Sequence, residues 1–180
     1  MEWVGDASGA GTLSLVVGRP WCQSDRPAVL IDLKQQIYPV ALSVLGIDLS
    51  TLIFVHPKSE REALWACEES LRCNAVSLVW ANLERLTGLA FRRLQLAAEE
   101  SGCVGFLVRP LAALQQPSWA DVRLLVTPRP GQNESPCFRI EVACSRGGTM
   151  RSSMDIEIDT QGALHEVVAQ TKTYRMRVVS

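Results

Sequence analysis

Gly5-Asp6-Ala7-Ser8-Gly9-Ala10-Gly11-Thr12 follows the short strand-like stretch Glu2–Val4 and opens a run with helical spacing. A glycine-rich turn between a strand and a helix is where α/β proteins place a phosphate loop, in the pattern G-x-x-x-x-G-K-[ST]. Here Ala10 stands for the second glycine and Gly11 for the lysine, and Thr12 alone is at its expected place. The missing lysine decides the reading. A unit charge about 4 Å from a phosphate oxygen contributes roughly 4 kcal/mol at a near-surface dielectric, close to three decades of affinity. The segment therefore predicts a strand-to-helix turn kept for backbone geometry. Only the backbone N–H groups of the helix start are left to attract an anion.

Outward from this turn, strand candidates at Ala28–Asp32, Leu52–His56, Ala75–Ala81 and Val104–Arg109 alternate with segments of helical spacing. Such alternation predicts βα units and a mainly parallel sheet. Tyr38–Leu45 reads as a short helix closed by Gly46. Ser59-x-x-Glu62 fits a capping box, followed by an apolar stripe of Ala63, Leu64, Cys67 and Leu71 with Glu60, Glu68 and Arg72 outside it. A further helix spans about Leu89 to Glu100. Its Leu89, Leu94, Leu96 and Ala97 are expected to face the sheet, and its Arg92, Arg93, Gln95 and Glu99 the solvent. The texture changes after Pro110. Ala112–Trp119 reads as a loop, and Asp121–Thr127, Cys137–Cys144 and Met154–Ile158 alternate as strands with the polar connection Pro128–Pro136 between the first two. No helix separates these strands, which predicts an antiparallel extension of the sheet. Residues 1–160 are thus expected to form one domain, and 161–180 a C-terminal strand or tail, with Tyr174–Val179 its strand candidate.

Composition narrows the function classes. The 180 residues carry 18 basic and 19 acidic side chains for a net charge of −1, which gives no strong nucleic-acid footprint. No apolar run approaches the roughly 20 residues of a membrane span. The start Met1-Glu2-Trp3-Val4-Gly5-Asp6 lacks the features of a signal peptide, so a cytoplasmic location without a membrane partner is expected. The six cysteines show no C-x-x-C pairing and read as buried reduced thiols. The sequon Asn133-Glu134-Ser135 is then a chance match. His56 and His165 have no Cys, Asp or Glu at a ligand spacing, so no metal is expected. Ser8, Ser59 and Ser101 lack a nucleophile context, and no catalytic residue is assigned. Asp32 ends a strand, where sites gather in α/β folds, and is read as a turn cap. Trp65 and Trp80 are open between core packing and partner anchoring.

The stretch Leu30-Ile31-Asp32-Leu33-Lys34-Gln35-Gln36-Ile37-Tyr38-Pro39, then Leu45-Gly46-Ile47-Asp48, resembles the second strand and following helix of the RecA recombinase family. Within that superfamily the chain is similar to the ImuA group of SulA-like, RecA-like damage-response proteins. Ala63-Leu64-Trp65-Ala66, Arg92-Arg93-Leu94-Gln95-Leu96-Ala97-Ala98-Glu99 and Gly105-Phe106-Leu107-Val108-Arg109-Pro110 carry the likeness, which covers roughly residues 1–160. It implies an α/β fold with a RecA-like core, a mainly parallel sheet flanked by helices, and antiparallel C-terminal strands.

The resemblance also places lost-site markers. Where RecA has the carboxylate that activates water, this chain has Lys34; where the Walker B strand ends in Asp, it has Asn82; where a Gln senses the nucleotide, it has Arg109. With Gly11 these are four departures from a chemistry that depends on placed charges and a metal. The expectation is a degenerate phosphate loop (Gly5, Ser8, Gly9, Ala10, Gly11, Thr12), no cofactor and no ATPase activity. The counterparts of RecA's two DNA loops, Leu83–Gly88 and Leu111–Ala120, are short, and the second has no Lys or Arg, so weak or no direct DNA binding is expected. The implied role is a scaffold of error-prone translesion synthesis. Its partners would be an inactive Y-family polymerase homologue (ImuB), RecA and an error-prone C-family polymerase, with residues about 160–180 in partner contact. The alternative is a SulA-type inhibitor of the tubulin-like division protein, since Gly105–Pro110 is shared with that relative.

Overall fold

The computed structural model describes residues 1–131, 135–146 and 152–167. The expected strand Tyr174–Val179 lies outside them. The chain runs β1 (Glu2–Val4), α1 (Ala7–Cys22), β2 (Ala28–Ile31), α2 (Pro39–Val44), β3 (Leu52–Val55), α3 (Glu60–Arg72), β4 (Leu78–Asn82), α4 (Gly88–Ser101) and β5 (Val104–Arg109). It continues through β6 (Val122–Arg129), β7 (Cys137–Ser145), β8 (Ser153–Ile158) and β9 (Leu164–Glu166). Among the described residues these strands join one sheet in the order β3-β2-β4-β5-β1-β6-β7-β8-β9. Pairing is parallel from β3 to β6 and antiparallel from β6 to β9. The mainly parallel sheet and its antiparallel extension are therefore as expected, and β9 adds a strand that the sequence pattern did not mark.

The inner parallel strands β1, β2, β4 and β5 are largely buried on both faces, which is why they read as near-continuous apolar runs, while the edge strand β3 is partly exposed. Trp3, Leu30, Leu78, Trp80 and Phe106 pack with Leu13 and Val16 of α1. Phe138, Ile140 and Ile156 of the antiparallel half join this same core. Val29, Ile31, Val79 and Leu107 pack on the opposite face against Cys67 and Leu71 of α3 and Phe91 and Leu94 of α4.

Caps fall where expected. The Ser59 hydroxyl accepts from the Glu62 N–H at 3.2 Å, while the Glu62 carboxylate accepts from the Lys58 N–H at 2.8 Å, one residue earlier than the usual box. Gly46, at φ +75°, turns the chain out of α2.

Three expectations need correction. Strand β4 begins at Leu78, because Asn74 and Ala75 form an exposed turn after α3. Glu68 is buried, since the guanidinium groups of Arg72 and Arg93 both bond its carboxylate and replace its water. On α4 the sheet-facing stripe is Phe91, Leu94, Gln95 and Ala97, and Leu89 and Leu96 are exposed. Gln95 tolerates burial because its amide bonds Arg92 and Glu99.

Cys22, Cys67, Cys103 and Cys137 are buried, and Cys73 and Cys144 are exposed. Burial pushes the Cys67 thiol up to about 12 and those of Cys22 and Cys103 to about 11. Because the thiolate is the nucleophile, brief iodoacetamide treatment of the folded protein at pH 8 is expected to alkylate Cys73 and Cys144 and spare the four buried thiols. Peptide mass mapping checks this, with all six modified in urea.

Candidate functional site

The phosphate-loop segment is not a loop. Helix α1 starts at Ala7, so Ser8, Gly9, Ala10, Gly11 and Thr12 occupy its first turns. Asp6 is the N-cap, with φ −69° and ψ 153°. Its carboxylate accepts from the Gly9 N–H at 2.6 Å and from the Ser8 hydroxyl at 3.1 Å, and its carbonyl accepts from the Ala10 N–H at 3.1 Å. The Gly9 N–H and the Ser8 hydroxyl are thus taken by a carboxylate, and the Ala10 N–H by a backbone carbonyl. The side chains present do not fit a nucleotide's phosphates: a carboxylate sits at the helix start, and Gly11 supplies no ammonium group.

The glycines here serve packing. A Cβ on Gly5 would lie 2.7 Å from the backbone oxygen of Val126, and one on Gly9 3.0 Å from the Phe138 ring. They let α1 approach β6 and β7. Gly5→Ala is therefore expected to destabilise the fold by about 1–3 kcal/mol through overpacking, measured by urea unfolding.

Beyond the ends of β2 and β4, a groove of about 580 Å³ opens between α1 and α2. Ser8, Gly11 and Thr12 of α1 line it with Asp32, Gln36 and Asn82. Leu15, Ile37, Tyr38, Leu42, Leu45 and Trp80 form its apolar walls. The structure therefore brings Asn82 and three loop-segment residues together, with Asp32 beside them. Asp32 caps a turn as expected, its Oδ2 accepting from the Ile37 N–H at 2.7 Å. Trp80 is a core residue whose indole N–H donates to the Ser14 hydroxyl at 2.8 Å, whereas Trp65 is 65% exposed on α3. Lys34 lies outside the groove, in an ion pair with Glu84 at the surface.

Arg109 is also elsewhere, in a cluster that the sequence reading missed. Glu2 is fully buried between Arg109 and Arg123. Arg123 bonds it in bidentate fashion at 2.7 and 3.3 Å, and Arg109 at 3.2 Å. The segment after β5 closes over this triad. Gln116 receives a bond from Arg109 at 2.9 Å through its side chain and one from Arg123 at 3.0 Å through its carbonyl, and the Ser118 hydroxyl donates to Glu2. That segment includes a 3-10 turn, Leu111–Gln115. The counterpart of the second DNA loop is thus tied to a buried charge cluster. The available signal was three charged residues set in adjoining apolar strands.

Strand order, the crossovers and the antiparallel half together define a RecA-like α/β core. The fold is similar to that of the RadB recombinase, with a TM-score of 0.66 and 16% identity over 93% of this chain and 89% of that one. It is also similar to SulA from Pseudomonas aeruginosa, with a TM-score of 0.54 and 22% identity over 61% of this chain and 96% of that one. In sequence, 74 residues are 32% identical to the RecA protein of Rhodopirellula baltica, covering 41% of this chain. The match spans 20% of that RecA protein's length. No family model matches the sequence. Among the described residues no helix is long and apolar enough to cross a membrane.

Proposed function

We propose that this protein is a non-catalytic, RecA-like accessory factor of SOS-induced error-prone translesion synthesis, of the ImuA kind. In this reading it is a cytoplasmic scaffold that binds the inactive Y-family polymerase homologue ImuB and also contacts RecA and the error-prone C-family polymerase. The observation that carries the non-catalytic part is the closed helix start, where the Asp6 carboxylate occupies the Gly9 N–H. Gly11, Lys34 and Asn82 support it, since none can supply the charge or metal ligand that phosphoryl transfer needs. Partner binding is supported by apolar surface around α2, where Tyr38, Val40 and Val44 are 66%, 54% and 62% exposed.

Two measurements test this. Calorimetric titration of ATP with magnesium is expected to give no heat with the folded protein, and micromolar binding would overturn the non-catalytic part. Pull-down with the ImuB-type homologue is expected to succeed with the full chain and to weaken when residues 161–180 are removed; no capture by the full chain would overturn the scaffold role.

The SulA-type reading, in which the target is the tubulin-like division protein, is favoured by the likeness that spans 96% of the Pseudomonas aeruginosa SulA chain. A polymerisation assay separates the two readings. Polymers unaffected by the protein count against division inhibition.

A further inference from the structure

The groove between α1 and α2 has a chemistry of its own. Its walls are largely apolar, and its volume of about 580 Å³ is within the range of small-molecule sites, roughly 300–1,000 Å³. Among its lining side chains there is one carboxylate, Asp32, and no Lys, Arg or His. Asp32 is only 2% exposed. One of its oxygens accepts from the Ile37 N–H at 2.7 Å, and the other has no hydrogen-bond partner among the described residues. The nearest basic side chain in sequence, Lys34, is engaged with Glu84. That oxygen is not among the buried atoms left without a partner, so it meets solvent in the groove, where an ammonium group can replace water with a charge-assisted bond. Tyr38 supplies apolar surface beside it, and the buried Trp80 ring lines the groove with its indole N–H already used on Ser14.

We infer that this groove binds a small organic cation, an amine with an aromatic or aliphatic body, whose ammonium group bonds the free oxygen of Asp32. The inference does not depend on which protein partner the scaffold takes. It does share with the proposed function the premise that the groove refuses nucleotide.

The test is calorimetric titration of the full chain with tryptamine and with indole-3-propionate, which carry the same ring and opposite charges. Tryptamine is expected to bind at least tenfold more tightly than the acid, and Asp32→Asn to weaken it at least tenfold. The asparagine still accepts from the Ile37 N–H, and circular dichroism checks the fold. As a second variant, Gly11→Lys places an ammonium group in the groove, where an added Cβ meets nothing closer than the Trp80 ring at 3.8 Å. It is expected to abolish tryptamine binding while leaving the acid unbound or slightly improved. Equal affinity for amine and acid overturns the inference, as do unchanged binding in either variant and no binding of tryptamine by the folded wild-type protein. Displacement of tryptamine by ADP would overturn both this inference and the nucleotide-free reading. Loss of ImuB capture with tryptamine binding intact would overturn the scaffold role alone.

Discussion

Replacing Glu2 by alanine is expected to lower the folding stability by about 3–5 kcal/mol, the range found when one partner of a buried ion pair is removed. Glu2 is the only anion bonded to the buried guanidinium groups of Arg109 and Arg123 among the described residues. Without it two buried guanidinium groups are left with only neutral acceptors, Gln116 for both and the Leu114 carbonyl for Arg123. Against a total stability on the order of 5–15 kcal/mol, this is a large fraction. Urea unfolding followed by tryptophan fluorescence measures it, as a fall in midpoint with an unchanged slope. A shift below about 1 kcal/mol would show that the cluster is wetter than its burial implies. The triple change Glu2→Met, Arg109→Leu, Arg123→Met separates charge from shape. It is expected to be near neutral or stabilising, because no charge is then stranded.

Phe106→Ala is expected to cost about as much, roughly 3–5 kcal/mol, for a different reason. Phe106 is fully buried in the middle of β5. Its ring lies 5.5 Å from that of Trp3 at 56° and 5.8 Å from that of Trp21 at 66°. Truncation removes the apolar area, opens a cavity that two indoles on different elements cannot fill without moving, and loses two tilted ring contacts. Phe106→Leu keeps most of the volume and is expected to lose less than half as much. Thermal unfolding by near-ultraviolet circular dichroism reads both variants, since the affected tryptophans give the signal.

What the sequence made legible was whatever repeats over short distances. The alternation of apolar runs and helical stripes located five parallel strands, and the loss of helices after Pro110 located the antiparallel half. Ser59 and Gly46 announced helix ends through chemistry confined to three or four residues. The misreadings have a common cause. Glu68, Gln95 and Glu2 are polar side chains whose burial is made tolerable by partners on other elements or in the next helical turn, and no local pattern contains that information. The phosphate-loop segment was misread as a turn because glycine spacing suggests a loop. Asp6 caps the helix at once, and the glycines relieve crowding against Val126 and Phe138 instead. Arg109, read as the mark of a lost nucleotide sensor, belongs to a structural cluster.

The position of β1 has a consequence for how the protein is made. Glu2–Val4 is central in the sheet, between β5 and β6, and Glu2 bonds residues 107 and 121 positions further along the chain. During synthesis this strand leaves the ribosome well before its partners β5 and β6, and it waits for them. At roughly 5–20 residues per second, that wait lasts on the order of ten seconds. A nascent chain arrested before Arg123 would have its apolar opening segment unpaired on one side and the Glu2 carboxylate short of an arginine. Assembly of the middle of the sheet is therefore a late event with high contact order, and chaperone capture of arrested chains should fall sharply once β6 has cleared the exit tunnel.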